Sequence, residues 1–163
     1  MKSWRVKIFV AIISISATQA IFNPLGIEEF YIKSCDLKIV STSDKHHKCL
    51  IRKFEIKMDV EENRKYIKCM FEKFGYYDQK GEFNKQALIK DYHHYGIKTR
   101  DKEVLDSFDG CMKQYGPTLN PVKLLHCVTR DKDFPKVINA RRERNDYFKP
   151  EWMQALCGGM SLG

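Results

Sequence analysis

An all-α bundle of six to eight short helices, braced by disulfides, is the fold class that this sequence predicts. Three observations carry the prediction. No stretch sustains the strict apolar–polar alternation of a half-buried strand. Apolar residues recur instead at helical spacing, most clearly at Ile67, Met70, Phe71 and Phe74. Six cysteines, an even number, lie in a short chain that opens with an export-type leader, which reads as three disulfides.

The leader is residues 1–20. MKSWRVK is basic, IFVAIISISA is apolar and TQA ends on a small residue, the order of a secretory signal peptide. The apolar run is too short to span a bilayer. The chain is therefore expected to be secreted, with no membrane span and with residues 21–163 as a single domain. Apolar residues make up 43% and charged residues 31%, ordinary proportions for a globular chain. Without Lys2, Arg5 and Lys7 the formal charge drops from +8 to +5. That surplus suits anionic ligands, polyanions or anionic surfaces, and serves solubility equally well.

Residues 26–40 carry Ile27, Phe30, Tyr31, Ile32 and Leu37 at a spacing closer to helical than to alternating. Residues 44–57 form a second candidate helix, with Cys49, Leu50 and Phe54 on overlapping faces. Asp59 opens the third, with Glu62 three places on as a capping-box partner, and Gly75 stops it. The run from Cys49 to Phe74 thus holds two helices, two cysteines and a basic-aromatic cluster, and the other helices are expected to pack around it. GYYDQKGEF is a turn that lacks the dense ligands and spacing of a calcium loop. Asn84 caps KQALIKDYHHY, whose Leu88, Tyr92 and Tyr95 share a face, and Gly96 ends it. Thr99 starts RDKEVLDSFDGCMKQY, with Val104, Leu105, Phe108 and Cys111 inward. GPTLNP is a breaker run. Asn120 as cap and Pro121 in the first turn then start VKLLHCVTR. Phe134–Arg144 is a further helix with a strongly basic side, and Lys149-Pro150 opens a last one, EWMQALC, stopped by Gly158 and Gly159.

No phosphate loop, nucleophile elbow or H-E-x-x-H occurs, so no enzyme is expected. No C-x-x-C pair occurs, and the adjacent pairs His46-His47 and His93-His94 diverge on a helix instead of converging as an i, i+4 pair does, so no metal site is expected. No cofactor and no nucleic-acid partner is expected, and the chain is read as a monomer. Six cysteines allow fifteen pairings, which spacing alone does not resolve. Most aromatics read as core. Arg52, Phe54 and Tyr66 stand apart: a guanidinium, a ring and a phenol near a disulfide junction, suited to orient a polar ligand in an apolar pocket.

These same segments carry a family resemblance. CLIRKFEI, KYIKC and FGYYD-x-x-G, followed by FDGC, LLHC, FPKV and FKPEWM, resemble the salivary "D-seven" proteins of blood-feeding flies in their short form, relatives of the insect odorant-binding proteins. The resemblance covers roughly residues 27–157. Ordinary odorant-binding proteins look less similar, because nineteen residues separate the second and third cysteines here and theirs are much closer. The resemblance implies an odorant-binding-protein-like helical fold with one internal ligand pocket and no catalysis. It implies the disulfides Cys35–Cys69, Cys49–Cys157 and Cys111–Cys127. It also implies secretion in saliva and sequestration of small host mediators of haemostasis and inflammation: biogenic amines, cysteinyl leukotrienes, thromboxane-like lipids or ADP.

The family's amine site carries over position by position. Its arginine falls on Arg52. The nearby tyrosine becomes Phe54, which keeps the ring and loses the hydroxyl. A histidine becomes Tyr66, and a later tyrosine becomes Leu125. The two carboxylates that hold the ligand ammonium fall on Asn139 and Arg142, and a guanidinium repels a cation. A four-residue shift instead brings Glu143 and Asp146 onto nearly the same helix face. The expectation is a pocket that prefers an eicosanoid or other anionic lipid, given Arg142 beside Arg52, Arg141 and Lys136, with biogenic amines a close second. Two rival readings are a basic anticoagulant whose KVINARRER helix binds polyanions or anionic membranes, and an odorant or pheromone carrier.

Overall fold

The computed structural model describes residues 25–39, 44–56, 58–116, 120–145, 147, 149–152 and 157. Seven α-helices and no strand occur among them: α1 Lys33–Asp36, continued by a 3-10 turn over Leu37–Ile39, α2 Lys45–Arg52, α3 Glu61–Phe74, α4 Lys85–Tyr95, α5 Asp101–Tyr115, α6 Pro121–Val128 and α7 Phe134–Arg144. Glu151, Trp152 and Cys157 are also helical, while the leader and the stop at Gly158 and Gly159 lie outside the described residues.

Local chemistry sets most helix ends. The side chains of Asp44, Asn84 and Asn120 accept first-turn N–H groups from His46, Ala87 and Val122 at 2.9, 3.1 and 2.9 Å. Gly75 and Gly96 adopt left-handed φ of 73° and 99°. The N–H groups that follow, on Tyr76 and Ile97, return to the carbonyls of Phe71 and Tyr92. Helix α2 closes by the same motif without a glycine. Phe54 sits at φ 59°, the one described non-glycine residue at positive φ. The N–H groups of Phe54 and Glu55 reach Ile51 and Leu50 at 2.9 Å each. A side chain in that region costs about 1–2 kcal/mol, so packing of the Phe54 ring must offset it.

Four boundaries differ from the sequence expectation. Residues 25–32 are extended, and α1 begins only at Lys33. The backbone of this strap is held by other elements: Phe30 N–H donates to the Arg52 carbonyl and Tyr31 N–H to the Tyr147 carbonyl, both at 3.1 Å. Helix α2 ends at Arg52 and not at 57, because Phe54 reverses the chain. Helix α3 starts at Glu61 with no side-chain cap. The Asp59 carboxylate instead receives Arg64 at 3.1 Å and Asn120 at 2.8 Å. Helix α5 starts at Asp101, after Arg100 and not Thr99. On α4, Leu88 and Tyr92 are buried as expected, but Tyr95 is 41% exposed. Asp91 takes the inward place.

Helix α3 is the centre of the core. Its Tyr66, Ile67, Met70, Phe71 and Phe74 are buried, and it packs on α1 and α6. Helix α6 also packs on α5, and α4 on α7 and α5. The sulfurs pair as Cys35–Cys69, Cys49–Cys157 and Cys111–Cys127, joining α1 to α3, α2 to the chain end and α5 to α6. This is the pairing that the family resemblance implies. In the GYYDQKGEF turn, Asp78 accepts the N–H groups of Lys80 and Glu82 at 2.8 Å each.

Burial of tyrosines has a measurable consequence. Burial pushes the phenols of Tyr66, Tyr76 and Tyr92 well above their usual range, reinforced by Asp36, Asp91 and Asp131 respectively. Tyr77 is pushed up to about 12, again mainly by burial. An acid held protonated in the folded state contributes stability that is intact below its unfolded pKa near 10 and is lost as pH climbs towards the folded value. Stability is therefore expected to fall above about pH 10, by about 1.4 kcal/mol per pH unit for each such tyrosine. Urea midpoints measured between pH 9 and 11.5, with phenolate absorbance followed in parallel, check this. Tyrosines that ionise near pH 10 while the helices stay intact would contradict it.

Candidate functional site

Phe54 places its ring in a packed aromatic cluster. It stacks on Phe30 at 5.4 Å between centroids and meets Phe74 edge-on at 6.2 Å and Tyr66 at 6.4 Å. Phe30 also meets Phe74 at 5.4 Å and Tyr147 at 6.2 Å. Offset and edge-on pairs of this kind add about 0.5–1.5 kcal/mol each beyond area burial. They account for the tolerated strain at Phe54. Tyr66 lies behind this cluster, fully buried, with its hydroxyl 3.5 Å from the Phe30 carbonyl.

The arginines are engaged within the protein. Arg52 donates from Nε and Nη2 to the two carboxylate oxygens of Asp36 at 2.7 and 3.1 Å, and Nη1 lies 3.7 Å from Cys157 Sγ. Burial works to lower its pKa, but the Asp36 bond and charge prevail and hold it above the ordinary value. Arg141 reaches Asp91 at 2.5 Å and spreads over the Phe74 ring at 5.0 Å. Arg142 donates from Nε to the Glu29 carbonyl at 2.6 Å and from Nη1 to Glu28 at 2.7 Å. Asn139 brackets the same strap, accepting from Glu28 N–H at 2.9 Å and donating to the Gly26 carbonyl at 2.8 Å. Asn139 and Arg142 thus clamp residues 26–29 onto α7. Glu143 is exposed on α7 and Asp146 lies outside the described residues.

Phe54 and Leu125 are the two sequence-singled positions that meet at a hollow. A cavity of about 360 Å³ opens to solvent between the α2–α3 connection, α5 and α6. Its apolar wall is Leu25, Phe54, Ile56, Tyr115, Val122 and Leu125. Larger hollows occur outside α3 and α5, but charged side chains wall them: Glu61, Arg64, Lys65 and Lys68 in one, Asp106, Asp109 and Lys113 in the other. Among these hollows of the described residues, the apolar cavity suits an organic ligand better than the two walled by charges.

Polar groups ring this cavity, and sequence reasoning singled out none of them. Asp59 is held by Arg64 and Asn120. Thr129 donates to the Leu125 carbonyl at 2.9 Å. The His126 ring packs against Tyr115 at 5.8 Å, and Lys123 places its ammonium 5.4 Å from the Tyr115 centroid. Glu55 differs from all of these. It is 6% exposed, and its Oε2 is buried with no hydrogen-bond partner. The signal for it was present in CLIRKFEI, where a carboxylate directly follows the aromatic that turns inward.

Comparison with known proteins agrees with this architecture. Residues 31–131 match the PBP/GOBP family. Over 155 residues the chain is 62% identical to a short-form salivary protein of the "D-seven" type from Culex quinquefasciatus, an alignment that covers 95% of this chain and 96% of that protein. The helices, the disulfide framework and these matches together establish that the chain belongs to the PBP/GOBP, or odorant-binding, family.

Proposed function

We propose that the protein is a secreted, salivary-type ligand-binding protein that sequesters one small organic molecule, by capture and not by turnover. The observation that carries this reading is the apolar cavity of about 360 Å³ beside Phe54 and Leu125. The similarity to a salivary short-form protein supports the compartment. Host mediators of haemostasis and inflammation, among them eicosanoids and biogenic amines, are the ligand classes this reading admits.

The sequence motive for preferring an anionic lipid is Arg142 beside Arg52, Arg141 and Lys136. In the structure Arg52, Arg141 and Arg142 each pair with a carboxylate, Asp36, Asp91 and Glu28. An anion entering there has to displace a partner already in place, so charge gives lipid acids no advantage. The same pairings draw the KVINARRER helix inward and weaken the reading of α7 as a polyanion-binding surface. An odorant or pheromone carrier uses the same cavity, and tissue of expression separates it from a salivary scavenger.

Displacement of the fluorescent probe N-phenyl-1-naphthylamine, followed by calorimetry with serotonin, a leukotriene, a thromboxane mimic and ADP, tests the proposal. Val122→Trp fills the cavity from its half-buried wall. It is expected to weaken probe binding by about tenfold or more, equivalent to about 1.4 kcal/mol, with unchanged helical circular dichroism. A wild-type protein that binds neither the probe nor any mediator overturns the proposal.

A further inference from the structure

The seam between α4 and α7 carries positive charge that the fold does not use. Lys90 and His94 stand four residues apart on α4, and Arg141 and Arg144 three apart on α7, so each pair shares a helix face. The two helices pack together. All four side chains line one hollow of about 470 Å³ that opens to solvent. Asp91 is the one acid among the described residues that line it. It is 2% exposed and already engaged: Oδ2 accepts Tyr76 and Arg141, and Arg144 stands 3.5 Å from Oδ1. Lys90, Arg141 and Arg144 against this single carboxylate leave a formal surplus of +2. Arg141 is committed to Asp91, but the Arg144 side chain is 37% exposed. Lys90 and His94 are exposed, and no carboxylate of the described residues pairs with either.

The walls of the hollow select its occupant. Arg141 covers the Phe74 and Tyr76 rings at 5.0 and 5.8 Å, so no open aromatic face is offered to an organic ring. Donors and positive charge remain, which suit a tetrahedral oxyanion on a hydrophilic body. For the secreted protein proposed above, sulfate esters along a polysaccharide meet that description. We propose that the α4–α7 seam binds a sulfated polysaccharide, with Lys90, His94 and Arg144 contacting sulfate. The inference takes the extracellular compartment from the reading above and makes no use of the apolar cavity, which lies between other elements. It also moves the anion-binding surface from α7 alone, whose Arg141 and Arg142 are engaged, to a seam where α4 supplies the unpaired charge.

Calorimetry with a heparin octasaccharide in about 50 mM salt tests this. Lys90→Ala with Arg144→Ala removes two cations from the seam. Lys65→Ala with Lys68→Ala removes two from the exposed face of α3. The seam variant is expected to bind about tenfold more weakly, with the slope of log Kd against log salt reduced by about 1–2. The α3 variant is expected to stay within about twofold of wild type. Equal losses in the two variants mean attraction to net charge alone and overturn the inference. A wild type that does not bind the octasaccharide overturns it too. So does inorganic phosphate or sulfate that displaces the octasaccharide at equimolar concentration, since the site then takes a free anion. If the seam variant does not fold, Lys90→Glu, which breaks no ion pair, takes its place with the same expectation. Binding of N-phenyl-1-naphthylamine is expected to be unchanged in the seam variant, so failure of the cavity reading and failure of this one are read separately.

Discussion

Replacing Asp91 with alanine is expected to destabilise the protein by about 3–5 kcal/mol, the usual cost of leaving a buried charge without its partner. Asp91 is 2% exposed on α4. Its Oδ2 accepts the Tyr76 hydroxyl at 2.8 Å and Arg141 at 2.5 Å, and Arg144 stands 3.5 Å from Oδ1. The variant strands a guanidinium above Phe74 and Tyr76 and orphans a buried phenol. The pair also links α7 to α4. The check is a double-mutant cycle: Asp91→Ala with Arg141→Met is expected to be less destabilised than Asp91→Ala alone, because both charges are then removed. Additive losses in urea denaturation would show that the pair is not coupled.

Removing the Cys49–Cys157 disulfide, as Cys49→Ala with Cys157→Ala, is the second large effect. The bridge spans 108 residues, against 34 for Cys35–Cys69 and 16 for Cys111–Cys127. Loop-closure entropy assigns it about 4.7 kcal/mol and the shortest loop about 3 kcal/mol. The loss also reaches Arg52, whose Nη1 lies 3.7 Å from Cys157 Sγ. The urea midpoint is expected to fall by on the order of 2 M, more than for loss of Cys111–Cys127. An equal or smaller shift would mean that α2 and the chain end hold together without the bridge.

What was legible in the sequence is what a residue does to its own neighbours. Asn84, Asn120, Gly75 and Gly96 act within one helical turn, and their caps lie where the sequence puts them. The i, i+3, i+4 pattern of α3 identified its buried face for the same reason. Errors arose where a partner is remote. Asp59 has the spacing of a cap, yet Asn120, sixty-one residues away, claims one of its oxygens. The strap from 25 to 32 has helix-like spacing, yet its hydrogen-bonding groups go to Arg52, Asn139 and Tyr147. Phe54 gave no signal of a left-handed turn, because that signal is usually a glycine. Of the residues named from the family resemblance, Phe54 and Leu125 line the apolar cavity. The pairing of Arg142 with Glu28 could not be read in advance, since no local rule links positions 114 residues apart.

The strap also fixes the order in which this chain can be assembled. Glu28 is received by Asn139, 111 residues later. At a synthesis rate of about 5–20 residues per second, the first segment waits roughly 6–22 s for its berth to emerge from the ribosome. During that interval Ile27 and Phe30, both fully sequestered at the end, are bare. A nascent chain halted before α7 should therefore engage holdase chaperones through residues 25–32, and release should coincide with the appearance of Asn139 and Arg142.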